Sequence, residues 1–154
     1  MRSIVLGLLM LLSTTIPAVA ADAPDAGASI ADPTLAKQLG ADERGMRHYV
    51  LVILKTGPRR MPDGKPRDEM FAGHFANITR LADAGKLAVA GPFGDKTDWR
   101  GLFVFAVETP EEAAQLVATD PVIESGEMVA EYHRLYASAA LMSVYATHLK
   151  IAPK

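Results

Sequence analysis

A histidine and an aspartate are the two side chains of this sequence whose surroundings best suit proton transfer. His74 lies in the stretch FAGHFANI, where helical spacing puts it on one stripe with Phe71 and Ile78. A histidine in such a stripe is most often half-buried, with its ring bonded to a backbone carbonyl. A carboxylate at one ring nitrogen would instead fix the tautomer and make the other nitrogen a better base. His74 is therefore a candidate general acid/base that needs a partner.

Asp120, in the stretch ATDPVIESG, is the candidate partner. An aspartate before a proline is also an ordinary turn former, and that role predicts nothing beyond the turn. Sequence spacing does not show whether Asp120 meets His74. Both interpretations of Asp120, turn former and partner of the imidazole, stay open.

Other residues are weaker candidates. His133, on the last strand, is a candidate pocket residue facing the same cleft, although a place in the core or in an interface is the more common role for such a residue. A loop rich in basic residues is interpreted either as an attractor for an anionic ligand or as a solvated loop. Its basic residues are Lys55, Arg59, Arg60, Lys65 and Arg67.

Composition excludes several classes of function. The 154 residues carry a formal net charge of −2 and include no cysteine, which removes zinc-thiolate sites and cysteine nucleophiles. No H-E-x-x-H pattern, nucleophile elbow, dinucleotide fingerprint or P-loop occurs. We therefore expect no metal, no cofactor and no nucleic-acid partner.

The first residues predict export. Residues 1–20 combine Arg2, a short apolar run and small residues at Ala18 and Ala20, as in a secretory signal peptide cut after Ala20. The run is shorter than the roughly 20 residues of a membrane-spanning helix. We expect a secreted or periplasmic protein that no longer contacts the membrane after cleavage; an uncleaved anchor is the alternative. Residues 21–47 are expected to be a flexible segment with one short helix, capped by Asp32 and ended by Gly40.

The apolar pattern predicts an α+β fold. Strands are predicted at residues 48–54, 86–92, 101–107 and 128–137, and helices at residues 68–84 and 110–118. This order of strand, helix, strand, strand, helix, strand is that of a ferredoxin-like split βαβ fold (βαββαβ). In such a fold the two helices lie side by side on one sheet face, which allows His74 and Asp120 to meet.

Both faces of the predicted sheet are apolar. The first and third strands alternate between two apolar sets, so that Leu51 and Val104 point away from Val52 and Phe105. Helices cover one face only. Since exposed apolar area is unfavourable by about 25 cal/mol per Å², we predict a homodimer with sheets packed face to face.

Two segments, HFANITRLADAGKLAVAGPFGD and RGLFVFAVETPEEAAQLVATDPVIESG, resemble the YciI-like (YCII-related) family. The shared marks are the histidine on the first helix, the AGP turn after the second strand and the DP pair after the second helix. The resemblance implies a dimeric α+β barrel over residues 48–137. It also implies a catalytic pair of His74 and Asp120 near a substrate pocket at Gly91 and Pro92. The C-terminal extension at residues 138–154 and the leader depart from the family pattern. Some family members are small-molecule enzymes, including a dehydrochlorinase of a chlorinated hydroxyquinol, and the fold is similar to that of muconolactone isomerase.

These observations lead to one leading hypothesis and two alternatives. The leading hypothesis is a secreted, cofactor-independent enzyme that carries out an elimination or isomerisation on a small aromatic or anionic molecule. In it His74 is the general acid/base and Asp120 orients the ring. The first alternative is a non-catalytic dimeric module that binds a small molecule. The second is an interaction protein whose C-terminal stretch LMSVYATHLKIAPK docks a partner.

Overall fold

The computed structural model describes residues 32–153, in which strands and helices follow the predicted order. The elements are α1 (Pro33–Leu39), β1 (Met46–Thr56), α2 (Lys65–Asp83), β2 (Leu87–Pro92), β3 (Trp99–Phe105), α3 (Pro110–Val117), α4 (Pro121–Glu124), β4 (Met128–Ser138), a 3₁₀ turn (Ala139–Ser143) and α5 (Val144–Ile151). The predicted signal peptide and the segment up to Ile30 lie outside the described residues and stay predictions. The short helix predicted between Asp32 and Gly40 is confirmed as α1, with Asp32 accepting the amides of its first turn.

The four strands form one antiparallel sheet in the order β2-β3-β1-β4. The order places β1 and β3 at the centre and the other two strands at the edges. This is the strand order of a split βαβ unit, and the predicted ferredoxin-like α+β fold is confirmed at that level. Within residues 32–153 no helix is long and apolar enough to cross a membrane.

The main core lies between the sheet and the helices. Alternate residues of β1 and β3, such as Val52 and Phe105, are fully or almost fully buried there. The helices contribute Leu81 of α2, Val117 of α3 and Val122 of α4 to the same cluster. We call this side of the sheet the inner face, and it is the side that carries the candidate site.

The opposite side, the outer face, is covered in part by the chain itself. Leu141 and Met142 of the 3₁₀ turn pack against a second cluster built on Tyr49 and Val104. Sequence periodicity did not predict this cover, because it does not show where a segment after the last strand will pack. Leu51 remains only half-buried on this face, so the C-terminal segment leaves part of it accessible.

Helix α5 turns back to the edge of the domain formed by β2 and α2. The Tyr145 hydroxyl donates a hydrogen bond to Asp83 Oδ1 at 2.7 Å, at the last residue of α2. This bond raises the pKa of Tyr145 because it stabilises the protonated phenol beside a carboxylate. The C-terminal stretch is thus packed against its own domain.

Candidate active site

His74 and Asp120 are in direct contact. The Nδ1 atom of His74 lies 2.9 Å from Oδ1 and 2.8 Å from Oδ2 of Asp120. Asp120 is completely buried and His74 is 7% exposed. A buried carboxylate at this distance accepts the Nδ1–H of the imidazole, which fixes the tautomer and the ring orientation.

The same carboxylate also has the turn-forming role. Asp120 is the N-cap of α4, and its Oδ1 accepts the backbone amide of Val122 at 3.1 Å. The two interpretations that the sequence left open are therefore compatible, because one carboxylate caps the helix and accepts the hydrogen bond of the histidine. The approach of α2 to α4 depends on Gly73, since a Cβ there would lie 3.1 Å from the ring of Pro121.

Asn77 is a buried neighbour of this pair that sequence reasoning missed. Its amide nitrogen lies 3.4 Å from Asp120 Oδ2, at the long end of hydrogen-bonding distance. Its oxygen accepts from Arg80 at 2.6 Å and from the Thr119 hydroxyl at 3.2 Å, which turns the NH₂ group toward Asp120. The signal was present in the sequence, because a residue three positions after His74 lies on the same helical stripe.

The remaining imidazole nitrogen is available for chemistry. Within the described part of the chain, Nε2 of His74 has no hydrogen-bond partner, and the ring lines a cavity of about 370 Å³. A cavity of this volume suits a small molecule. With Nδ1–H donated to Asp120, the free lone pair of the ring lies on Nε2.

The cavity is mainly apolar and aromatic. Its wall includes Leu54, Phe71, Phe75, Ile78, Phe103 and Met128. The imidazole has its ring centroid 6.1 Å from that of Phe71, edge to face, and 6.0 Å from that of Phe103. Such walls favour a molecule with a flat apolar ring.

The other predicted pocket residues divide into two groups. Gly91 and Pro92, at the end of β2, line the cavity together with His74. His133 does not, and its prediction as a pocket residue is corrected. Side chains alternate along β4, so that Tyr132 packs toward the inner face whereas His133 points to the outer face, where its Nε2 lies 2.9 Å from Glu131 Oε1.

Two of the five basic residues of the loop are half-buried and paired with carboxylates, whereas Arg59, Arg60 and Lys65 stay exposed. Arg67 turns inward and donates to Glu127 at 2.8 Å, and Lys55 lies 3.5 Å from Glu131. Glu127 is completely buried and also accepts the Met61 amide at 2.6 Å. Burial alone would raise the pKa of Glu127, but the hydrogen bonds from Arg67 and Met61 and the nearby guanidinium charges lower it below its ordinary value.

Arg100 is a second residue that sequence reasoning missed. It lines the cavity that His74 lines, and its guanidinium lies 4.0 Å from Glu127. Among residues 32–153 no group of three or more histidine, cysteine, aspartate or glutamate side chains is arranged to hold a metal ion.

Comparison with known proteins places the chain in a family. The uncharacterized protein YjpA of Bacillus subtilis (strain 168) is 37% identical over 81 residues, which cover 53% of this chain and 85% of that protein. A solved structure, the 5-chloro-2-hydroxyhydroquinone dehydrochlorinase TftG of Burkholderia phenoliruptrix AC1100 in complex with 2,5-dihydroxybenzoquinone, is 24% identical. It matches 53% of this chain and 90% of its own with a TM-score of 0.38. The profile of the YCII-related domain matches residues 46–134, which include His74, Asp120 and every residue of the cavity wall. This match spans more than half of the sequence, and the chain therefore belongs to the YCII-related family.

Proposed function

We propose that this protein is a cofactor-independent enzyme that moves a proton on a small molecule bound in the cavity. His74 is the general base and then the general acid, and Asp120 orients it. One observation carries the proposal: a fully buried carboxylate lies 2.8 Å from Nδ1 of a histidine that also lines an apolar cavity. Nδ1 is thereby occupied by its hydrogen bond to Asp120, and Nε2 remains available to contact a bound molecule.

The reaction class follows from this pair. Nε2 of His74 removes a proton from a carbon next to an electron-withdrawing group, and Asp120 stabilises the imidazolium that forms. The electron pair left on carbon then expels a leaving group from the neighbouring carbon, which is an elimination. Alternatively, the imidazolium returns the proton to another carbon, which is an isomerisation. General acid/base catalysis supplies about 10² to 10⁴ in rate, so the substrate must carry an already acidic C–H bond.

A screen in D₂O tests the proposal. Compounds that carry a carbonyl-activated C–H, such as enolisable 2-oxo acids and chlorinated polyhydroxybenzenes that react through their keto tautomers, are incubated with the protein and followed by ¹H NMR and by chloride release. We expect at least one compound that binds to exchange deuterium or lose chloride faster than in buffer. Compounds that bind in the cavity but never exchange or eliminate would instead identify a non-catalytic binding module.

We further propose that the protein is a homodimer that pairs through the outer face. The support is physical: Leu51 and Leu102 remain half-buried on this face, beside buried Val104, after the C-terminal segment has packed there. A second copy would bury this apolar surface.

Sedimentation velocity at micromolar concentration tests the pairing. We expect a dimer for the wild-type protein and a monomer for Leu51→Glu, because a carboxylate facing its symmetry mate in an apolar interface weakens association by roughly 100-fold or more. Leu149→Glu is the matched control, since Leu149 lies on α5 and is 57% exposed. A wild-type monomer, or a Leu51→Glu variant that still dimerises, would contradict the proposal.

A further inference from the structure

Arg100 owes its position to an irregularity in the sheet. Leu54 of β1 pairs with Gly101, but the next residue, Lys55, pairs with Trp99, so that Arg100 has no partner in β1. In an unbroken strand Arg100 would point to the same face as Leu102. Such register shifts re-aim side chains, and here the guanidinium lies on the inner side, 4.0 Å from buried Glu127.

Glu127 does not fully neutralise the positive charge of Arg100. Its carboxylate already accepts hydrogen bonds from Arg67 at 2.8 Å and from the Met61 amide at 2.6 Å. Arg100 is a second cation beside the same single negative charge, at a distance too long for a hydrogen bond. Within residues 32–153 its guanidinium makes no side-chain hydrogen bond, so its N–H donors stay available while Glu127 holds it in place by charge attraction.

Arg100 lies where its positive charge can contact a molecule bound in the cavity. Its side chain is 26% exposed, and the residue shares the wall of the cavity with His74 and the aromatic residues. A guanidinium presents N–H donors in a planar fork that matches a carboxylate and also binds a phenolate. A positive charge in a mostly apolar wall attracts an anion more strongly than it would in water.

We infer that Arg100 is a specificity-determining residue that binds the anionic group of the substrate. The substrate class is then a small, flat, singly charged anion with a carbonyl-activated C–H, such as an unsaturated oxo carboxylate or the keto tautomer of a polyhydroxybenzene anion. Its ring lies among the phenylalanines, its charge lies on Arg100, and its acidic C–H faces Nε2 of His74. The inference about the C–H rests on the proposed function, whereas the binding of the anion by Arg100 is measurable without turnover.

Two probes of nearly equal size isolate the role of charge. Binding of 3-hydroxybenzoate and of neutral 3-hydroxybenzyl alcohol is measured by NMR titration on the full-length protein. We expect the wild-type protein to bind the benzoate at least about tenfold more tightly than the alcohol. In Arg100→Gln the two affinities should differ by no more than about twofold. In Arg100→Lys, which keeps the positive charge but not the planar fork, the ratio of the two affinities should lie between those of the wild type and Arg100→Gln.

Matched variants separate this inference from general effects. Arg44→Gln makes the same change in the exposed turn before β1, at the end of that strand remote from Leu54, and should leave the ratio unchanged. His74→Gln should also keep the preference for the anion, because it removes the base and not the cation. A thermal unfolding curve for each variant checks that it is folded, and Arg100→Lys remains informative if Arg100→Gln unfolds.

Several results would overturn the inference. They are equal binding of the two probes by the wild-type protein, no saturable binding of 3-hydroxybenzoate, or an unchanged ratio in folded Arg100→Gln or Arg100→Lys. If proton exchange then still depends on His74, the proposed function stands and the substrate class is wrong. If the preference depends on Arg100 but no compound is turned over, the anion site stands and the proposed catalysis fails.

Discussion

Replacing His74 with glutamine is expected to reduce proton exchange or elimination on any active compound by about 10² to 10⁴. Glutamine keeps a polar side chain of similar reach but has no basic nitrogen at the cavity. The initial rate is measured by ¹H NMR in D₂O with the compound found in the screen. Affinity for the same compound should change little, since most of the cavity wall is unaltered.

His133→Gln is the matched control for this prediction, because His133 lies on the outer face. Its rate should equal that of the wild-type protein. Asp120→Asn is the second test. An amide that donates a hydrogen bond to Nδ1 places the proton of the neutral ring on Nε2, which then cannot act as the base, so the rate should again fall. A His74→Gln variant that exchanges protons at the wild-type rate would refute the assigned base.

Replacing Glu127 with alanine is expected to destabilise the fold by about 3–5 kcal/mol. The change removes the carboxylate that Arg67 and Arg100 share and the acceptor of the Met61 amide. Urea unfolding followed by circular dichroism measures the free energy of unfolding. Glu131→Ala is the control: Glu131 is half exposed and its pairing with Lys55 is a surface ion pair, so the loss should stay below about 1 kcal/mol.

The stabilisation by Glu127 should depend on pH. Its pKa is lower in the folded protein than in the unfolded chain, so its contribution is fully present above the unfolded value of about 4.3 and is lost as pH falls through the folded value. The difference in unfolding free energy between wild type and Glu127→Gln should therefore be largest near neutral pH and shrink below about pH 4. A difference that stays constant over this range would show that Glu127 is not stabilised as a carboxylate.

Much of the fold was predictable because its signals are local. The apolar runs predicted the four strands, and capping by Asp32 predicted the start of α1. Asp120 stood out for a local reason as well, since an aspartate before a proline marks a chain turn. Its contact with His74, however, depends on how α2 and α4 pack, which spacing along the chain does not encode.

The parts of the site that were missed depend on tertiary structure. Sequence pattern left Arg100 in the loop before the third strand, whereas a shift in the pairing of β1 with β3 aims it at the cavity. Glu127 gave no sign of burial, because an isolated glutamate is normally exposed and only its contacts with Arg67 and Met61 keep it inside. His133 was misassigned because its face follows from the register of β4 with β1.

Nitrogen-15 NMR of the His74 imidazole tests the central claim most directly, at a pH high enough for the ring to be neutral. The account predicts a proton on Nδ1, bonded to Asp120, and an unprotonated Nε2 whose resonance moves when a compound binds in the cavity. A proton fixed on Nε2, or an Nε2 resonance that stays still while a bound compound shifts the signals of Phe71 and Phe103, would contradict it.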